Sequence, residues 1–419
     1  MNQYEEICKD MGQRAKVASF ELAQIDQGTL DSALLAIADA VEAQTDEIMA
    51  ANQLDLDKSG DYNVPQTMID RLTLTPSRIS QMAEGVRQVA SIESPVGSVI
   101  ETITRPNGLV IEKRAVPFGV IGIIFEARPN VTIDAGVLCL KTANATILRG
   151  GKEAFHTNQI IVSIMRNTLE TLGITPDAIQ LVEVLDREMV GVLLQQREYI
   201  DVVIPRGGAG LIRRVVNESS IPVIETGSGV CHTFVDEYAN LDMALEIAIN
   251  AKVQRPSVCN SMETLLVHQA VAAEFLPRLD VALQEYGVRI HGDNAVAQYM
   301  GNTIPLTDDS FNTEYNDMDL NVRIVDTLEE AIDHVNLYST HHSEAIVTDE
   351  PMRAKVFMNL VDCSTVYHNA STRFTDGFEF GFGAEIGIST QKLHARGPMG
   401  LQALTSYKYF VFGEGQVRK

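Results

Sequence analysis

The sequence predicts an α/β protein with two parallel-sheet domains and a β-hairpin appendage. From Gly119 onward, short apolar strands alternate with helices, a pattern typical of parallel sheets with right-handed crossovers. A second series of the same kind follows Leu241. Before the first series, two β-rich segments flank Pro106-Asn107-Gly108, the strongest type of short hairpin signal. A length of 419 residues also suits two or three domains.

The individual elements follow from periodicity and from start and stop signals. The first hundred residues are predicted to be helical, with one apolar stripe of Leu30, Leu34, Leu35, Ile37, Ala38 and Val41, and with a helix starting at Thr75-Pro76. The hairpin strands are Val99–Thr104 and Leu109–Val116. In the first series we predict strands at Gly119–Phe125, Ala145–Arg149, Ile179–Glu183, Ile200–Ile204 and Pro222–Glu225, and helices at Val131–Thr142, Glu153–Gly173, Arg187–Arg197 and Gly210–Ser219. The second series predicts helices at Leu241–Val253, Val271–Tyr286 and Leu328–Leu337, and strands at Met262–Val267, Leu320–Val325, Ala345–Thr348 and Cys363–Tyr367. A last strand, Tyr407–Phe412, is well placed to pair with the hairpin or with a neighbouring subunit.

Composition excludes several classes of protein. Lys and Arg number 33 against 56 Asp and Glu, and the resulting net charge of −23 repels nucleic-acid phosphates. The most apolar run, Val116–Phe125, is far shorter than the ~20 residues that cross a bilayer. The N-terminus lacks the features of a signal peptide, so we expect a cytoplasmic protein with neither nucleic-acid nor membrane partners. The five cysteines should be reduced there, and no Cys-x-x-Cys or histidine cluster predicts a metal site.

The common phosphate-binding motifs do not occur in this sequence. There is no Walker motif. Gly227-Ser228-Gly229 and the cluster from Gly381 to Gly387 lack the glycine spacing of the Rossmann fingerprint. Glycines nevertheless follow three predicted strands, at Gly150-Gly151, Gly207-Gly208 and Gly227-Ser228-Gly229. Ligands bind at the carboxyl ends of parallel strands, where glycine lets backbone amides approach a phosphate. A dinucleotide site without the ordinary diphosphate turn is therefore possible.

The cysteines differ in their local sequence. Cys259 lies in a polar loop near Arg255, which would favour its thiolate, although an ordinary loop thiol is an equal alternative. Cys231 precedes His232, but neighbours along a strand point to opposite faces. The remaining three, Cys8, Cys139 and Cys363, are predicted to be core thiols. In two other loops, Glu126-Ala-Arg-Pro-Asn130 and His394-Ala-Arg-Gly-Pro398, an arginine could bind a carboxylate or a phosphate, or pair with a neighbouring acidic side chain.

Several segments together resemble one known family. They are Val116–Thr132, Lys141–Lys152, Asn250–Asn260, Val335–Glu344 and Glu379–Ser389, the last followed by His394–Gly400. In this order they resemble the aldehyde dehydrogenase superfamily, and more narrowly its γ-glutamyl phosphate reductase (glutamate-5-semialdehyde dehydrogenase) family, over essentially the whole chain. The resemblance implies an aldehyde dehydrogenase-like fold with two Rossmann-like parallel-sheet domains. Residues 1–97 and 117–230 would bind NADP, residues 231–401 would form the catalytic domain, and residues 98–116 and 402–419 would form an oligomerisation flap.

The resemblance also implies an activity. It is the NADPH-dependent reduction of L-glutamyl 5-phosphate to L-glutamate 5-semialdehyde with release of phosphate, the second step of proline biosynthesis, through a cysteine thioester. Expected partners are the substrate, a second copy of the chain in a homodimer or higher homo-oligomer, and functionally glutamate 5-kinase. The alternative is a hydrolytic NAD(P)-dependent aldehyde dehydrogenase with the same fold.

Candidate site residues follow from the same resemblance. Cys259 matches the nucleophile, and Asn130 is a candidate oxyanion partner. The cations expected to bind the anionic groups of the substrate are Arg128, Arg255, His394 and Arg396. The residues expected to bind NADPH are Arg149, Lys152, Gly207, Gly208, Glu225, Gly227 and Glu314. Among these, Arg149 and Lys152 would accommodate the 2′-phosphate. Glu314 resembles the glutamate that holds the nicotinamide ribose. Glu225 falls near the superfamily's water-activating glutamate, although the following Thr226-Gly227-Ser228 departs from the usual Leu-Gly-Gly.

Overall fold

The computed structural model describes residues 3–62, 66–126 and 128–418. The chain forms two compact units. Unit 1 comprises Met1–Glu225, Gly381–Gly387 and Met399–Lys419, and unit 2 comprises Thr226–Phe380 and Ile388–Pro398.

Helices and strands alternate through most of the described chain. In chain order the helices are α1 (Gln3–Leu22), α2 (Gln27–Ala43), α3 (Thr45–Asp57), α4 (Gln66–Leu72), α5 (Pro76–Ser91), α6 (Pro129–Lys141), α7 (Phe155–Thr171), α8 (Arg187–Leu193), α9 (Ala209–Glu218), α10 (Leu241–Val253), α11 (Gln269–Glu285), α12 (Leu328–Tyr338) and α13 (Pro351–Leu360). The strands are β1 (Val99–Thr104), β2 (Val110–Pro117), β3 (Val120–Phe125), β4 (Ala145–Arg149), β5 (Ile179–Leu181), β6 (Val202–Arg206), β7 (Cys231–Val235), β8 (Met262–His268), β9 (Arg289–Gly292), β10 (Ile304–Pro305), β11 (Asp319–Val325), β12 (Ser343–Val347), β13 (Thr365–His368), β14 (Ile388–Ser389), β15 (Gly397–Pro398) and β16 (Thr405–Phe412).

The helical N-terminal region of unit 1 agrees with the prediction. Helix α5 begins where expected, because the Thr75 side chain accepts a hydrogen bond from the backbone N–H of Arg78 and Pro76 occupies the first turn. The apolar stripe of α2 is buried as predicted, with one exception. Leu35 is 46% exposed, since it follows Leu34 directly and a helix turns about 100° per residue.

Unit 1 contains a four-stranded parallel sheet in the order β5-β4-β3-β6. All residues of β3 are buried, as expected for a central parallel strand. The predicted fifth strand, Pro222–Glu225, is wrong, because only Val223 forms an isolated bridge with Val203. Pro222 has no N–H to extend a ladder, so the segment follows the sheet without becoming a strand.

The predicted hairpin and the C-terminal strand form a separate antiparallel sheet in the order β1-β2-β16. Strand β16 pairs with β2 along its whole length, with Thr405 opposite Pro117 and Phe412 opposite Val110. The prediction that this strand pairs with the hairpin is therefore confirmed within one chain. Pairing with another subunit remains a prediction.

Unit 2 is built on a seven-stranded parallel sheet in the order β10-β9-β11-β8-β7-β12-β13. One apolar core includes Phe275 and Leu279 of α11, and a second includes Val335 of α12 and Phe357 of α13. Central strand β8 is buried along its whole length. The predicted strand Cys363–Tyr367 begins two residues later in the structure, at Thr365. The Cys363 thiol donates to the carbonyl oxygen of Thr365 at 2.9 Å, in a local turn before the strand. Across the described ranges, no helix is long and apolar enough to span a bilayer.

Candidate active site

Exposure separates Cys259 from the other cysteines. Cys259 is partly exposed, whereas Cys8, Cys139, Cys231 and Cys363 are buried. Burial raises the pKa of Cys8 to about 11 and that of Cys139 to about 12, and it raises the pKa values of Cys231 and Cys363 further. Those four thiols stay protonated near neutral pH, so Cys259 is the cysteine placed to react.

The loop that carries Cys259 (residues 254–261, the Cys259 loop) is closed at its base by a buried ion pair. The Lys252 Nζ lies 2.8 Å from the Glu263 Oε2, and both side chains are completely buried. Burial raises the pKa of Glu263 to about 7, and Lys252 opposes that rise. The other Glu263 oxygen accepts the backbone N–H of Asn316 at 3.2 Å. Because α10 ends beside Lys252 and β8 begins beside Glu263, this pair fixes both ends of the loop.

A glycine and a thiol lie directly against Cys259. The Cys231 Sγ donates to the carbonyl oxygen of Cys259 at 3.2 Å. A methyl group at Gly229 would lie 2.8 Å from the Cys259 Cα and closer still to its carbonyl group. The Gly229 N–H donates to Glu314 Oε1 at 2.9 Å. Glu314, predicted to hold a ribose, therefore also orients the backbone on which Cys259 rests.

A second loop is hydrogen-bonded to the residue that follows Cys259. The Thr372 hydroxyl donates to the Asn260 carbonyl oxygen at 2.8 Å, and the Asn260 Nδ2 donates to the Thr375 carbonyl oxygen at 2.9 Å. Arg373, between these two residues, donates from its Nε to the Gln254 Oε1 at 2.7 Å. Arg373 thus contacts both ends of the Cys259 loop. Sequence reasoning missed it, because nothing local distinguishes this arginine from a surface one.

Arg373 and the predicted substrate ligand Arg255 interact electrostatically. Burial lowers the pKa of Arg373, and the positive charge of Arg255 lowers it further. The charge of a Cys259 thiolate acts in the opposite direction. Arg373 therefore interacts electrostatically with both Arg255 and Cys259 of the Cys259 loop.

The other predicted loop cations of unit 2 have a different setting. Arg396 pairs with Asp362 at 3.1 Å, and Lys392 pairs with the same carboxylate at 2.7 Å. These contacts hold the pKa of Asp362 below its usual range, and the hydrogen bond from Lys392 has the largest effect. His394 is exposed. A role in substrate binding for His394 and Arg396 stays a prediction.

Unit 1 has a cavity of about 310 Å³ at the carboxyl ends of its strands. Its lining includes the predicted Arg149 and Lys152 together with Arg187 and Arg214, which sequence reasoning missed. Arg149 is 9% exposed; its Nη atoms donate to backbone carbonyls, and within the described residues its Nε has no hydrogen-bond partner. The Lys152 Nζ lies 4.3 Å from the ring centroid of Tyr62. This cluster of cations suits a phosphate-bearing nucleotide.

Gly207 and Gly208 lie directly against the carboxylate of Glu126. The Gly208 N–H donates to the Glu126 Oε2 at 2.8 Å, and a methyl group at Gly207 would lie 2.6 Å from the same oxygen. Helix α9 begins at the next residue, so a carboxylate caps the amide that we expected to face a phosphate. Gly227, in unit 2, leaves room for the Thr390 side chain, and its N–H donates to the Ile388 carbonyl oxygen at 3.1 Å.

The remaining predicted residues lie at the ends of unit 1 elements. Arg128 directly precedes α6, and Asn130 lies exposed in its first turn. The Asn130 Nδ2 donates to the Asp134 Oδ2 at 3.2 Å, and burial raises the pKa of Asp134 to about 6. Glu225 is the last residue before unit 2. The roles of Arg128, Asn130 and Glu225 remain predictions.

A sequence model of the aldehyde dehydrogenase family matches residues 3–304. The chain belongs to this family. γ-Glutamyl phosphate reductase from Thermobifida fusca is 51% identical over 418 residues, which are 100% of both chains. The enzyme of the same name from Moorella thermoacetica is 53% identical over 408 residues, covering 97% of this chain and 98% of that one. The crystal structure of γ-glutamyl phosphate reductase from Thermotoga maritima matches with a TM-score of 0.96 at 43% identity, covering 98% of this chain and 100% of that chain.

These matches confirm the family and the fold that the sequence motifs predicted. Membership of the aldehyde dehydrogenase family implies a nicotinamide cofactor.

Proposed function

We propose that this chain reduces L-glutamyl 5-phosphate to L-glutamate 5-semialdehyde and phosphate, with NADPH as reductant and Cys259 as nucleophile. The observation that carries the reaction is the full-length similarity, at about half identity, to proteins named γ-glutamyl phosphate reductase. The oxidoreductase belongs to proline biosynthesis.

The Cys259 loop supports covalent catalysis. The Cys259 thiolate attacks the acyl carbon, a carbon–sulfur bond forms, and the bond from carbon to the phosphate oxygen breaks with its electron pair leaving on phosphate. A backbone N–H in the loop can stabilise the oxyanion that develops on the carbonyl. When bound, the nicotinamide supplies the reduction of the thioester. The resulting thiohemiacetal collapses, releases the aldehyde and returns the thiol.

Support for NADPH comes from the cavity of unit 1. Arg149, Lys152, Arg187 and Arg214 place four cations around it, against the carboxylates of Glu126 and Glu153. The buried Arg149 Nε without a partner among described residues is a donor available for an added group. Cations at this edge accommodate a 2′-phosphate, whereas a carboxylate would favour a free 2′-hydroxyl.

We also propose the organisation that goes with this activity. Residues 1–97 and 117–230 bind NADP, residues 231–401 carry the catalytic cysteine, and residues 98–116 and 402–419 assemble the chain into a homo-oligomer. The exposed edges of the three-stranded sheet, β1 and β16, support the last point because unpaired edges favour pairing. A functional coupling to glutamate 5-kinase would deliver the unstable acyl phosphate directly.

A phosphate-dependence assay tests the proposed reaction in reverse. Purified protein is mixed with glutamate 5-semialdehyde and NADP⁺, with and without inorganic phosphate, and NADPH formation is followed by absorbance. We expect sustained turnover only with phosphate, because phosphate must cleave the thioester. Sustained turnover without phosphate would indicate a hydrolytic aldehyde dehydrogenase and refute the proposal.

A further inference from the structure

Arg373 is fixed by contacts from two sides of the Cys259 loop. The residues around it, Thr372 and Thr375, are hydrogen-bonded to Asn260, and the Asn260 Nδ2 also donates to the carbonyl oxygen of Arg373 itself at 3.3 Å. Its Nε donates to Gln254. The short 3₁₀ helix Thr372–Phe374 that carries it is capped by the Ser371 hydroxyl. An arginine held at both backbone and side chain has a defined position relative to the nucleophile.

The chemistry of this position favours an anion. The bond to Gln254 uses the Nε. The two Nη groups of a guanidinium form the fork that binds phosphate or carboxylate in a bidentate manner. Arg373 is half-buried, and the cation of Arg255 acts on it unfavourably. Two positive charges repel each other at one loop of a protein whose net charge is −23. A bound anion would offset that repulsion, which indicates an anion-binding site.

We propose that Arg373, together with Arg255, binds the phosphoryl group of the acyl phosphate and the inorganic phosphate that leaves. This inference rests on the proposed function and assigns its phosphate subsite. Binding there also assists the chemistry, since the electron pair of the breaking carbon–oxygen bond passes to the phosphate, and a guanidinium stabilises the added negative charge.

Two anionic groups of the substrate could meet these arginines, the phosphate and the α-carboxylate. The phosphate is joined to the attacked carbon through a single oxygen, whereas the α-carboxylate is several carbon atoms away. The backbone carbonyl of Arg373 accepts a hydrogen bond from Asn260, the residue directly after Cys259, and its guanidinium donates to Gln254 of the same loop. The structure therefore favours the phosphate, and the experiment separates the two groups.

The test compares Arg373→Gln and Arg373→Lys with a matched control, Arg278→Gln. Arg278 is an arginine of α11 that pairs with the exposed Asp242. In the reverse assay, we expect Arg373→Gln to raise the KM for phosphate at least tenfold and the KM for the semialdehyde less than twofold. Arg373→Lys keeps the charge but loses the fork, so its phosphate KM should lie between those of the wild type and Arg373→Gln. The control should match the wild type in both constants.

A second measurement does not depend on turnover. Inorganic phosphate should slow the alkylation of wild-type Cys259 by iodoacetamide, and Arg373→Gln should remove that protection while keeping the wild-type melting temperature. A raised KM for the semialdehyde with an unchanged phosphate KM would assign Arg373 to the α-carboxylate and overturn the proposal. Unchanged constants and unchanged protection in Arg373→Gln would also overturn it. If the wild type itself turns over without phosphate, the proposed function has failed, which is a distinguishable result.

Discussion

Gly229→Ala should inactivate the protein by displacing Cys259, the proposed nucleophile. The added methyl group would lie 2.8 Å from the Cys259 Cα, whereas ordinary contacts begin at 3.4 Å, and it would lie closer still to the carbonyl group. The Cys259 backbone must therefore move by at least 0.6 Å at its Cα and further at its carbonyl, which breaks the hydrogen bond from Cys231. A misplacement of about 1 Å at a reacting group costs roughly 100-fold in rate, or about 2.7 kcal/mol.

The assay measures kcat for NADPH formation with saturating semialdehyde, phosphate and NADP⁺. Gly85→Ala is the matched control, because Gly85 lies in α5 and nothing lies within 4 Å of an added methyl group. That control should keep full activity and gain about 0.5–1 kcal/mol of stability, as helical alanine does relative to glycine. A Gly229→Ala protein with wild-type kcat would refute the view that the Cys259 position depends on this close contact.

Four further predictions follow from other parts of the chain. Cys259→Ser should keep the wild-type melting temperature and lose several orders of magnitude in kcat, because a hydroxyl is far less ionised than a thiol; substantial activity would exclude Cys259 as nucleophile. The double change Arg149→Ala, Lys152→Ala should raise the KM for NADPH much more than that for NADH, and equal effects would show that the pair does not bind the 2′-phosphate. Deleting Gln402–Lys419 removes β16 from its ladder with β2, so light scattering should show aggregation or instability, and a folded, active monomer would contradict this. Burial lowers the pKa of His334 to about 2, far below its unfolded value of about 6.5. Below about pH 6.5 the unfolded chain therefore binds one proton more than the folded chain, and the free energy of unfolding falls by about 2 kcal/mol at pH 5. In urea titrations at pH 7 and pH 5, His334→Gln should lose that part of the pH dependence, and an unchanged dependence would show that the histidine is protonated in the fold.

The sequence was sufficient to predict the position of the Cys259 loop and most elements around it. The polar stretch with Cys259 lies between an apolar helix and an apolar strand, and the structure has this loop between α10 and β8. The Asn-Gly hairpin and the helix start at Thr75-Pro76 also rest on local chemistry and are confirmed. Strand β10 was missed because it is only two residues long, and helix α13 was missed because it buries few apolar side chains.

The contacts that shape the candidate site were beyond sequence reasoning. The arginine beside the Cys259 loop, Arg373, comes from a segment more than a hundred residues further along the chain. Arg187 lies on α8, which follows β5, and Arg214 lies on α9, which follows β6, and only the tertiary fold brings both to the cavity of unit 1. Nothing in the local sequence distinguishes Lys252 and Glu263 from exposed charged residues, but both side chains are completely buried in the structure. Each case depends on tertiary placement, which local pattern does not encode.

A single-turnover reaction without phosphate would detect a covalent acyl-enzyme on Cys259. The protein is mixed with glutamate 5-semialdehyde and NADP⁺, quenched in acid and analysed by intact mass and peptide mapping. We predict a burst of one NADPH per chain and one glutamyl group on the Cys259 peptide, both discharged into turnover when phosphate is added. A glutamyl group on the Cys231 peptide, or no burst and no adduct from a protein that turns over with phosphate, would exclude an acyl-enzyme on Cys259.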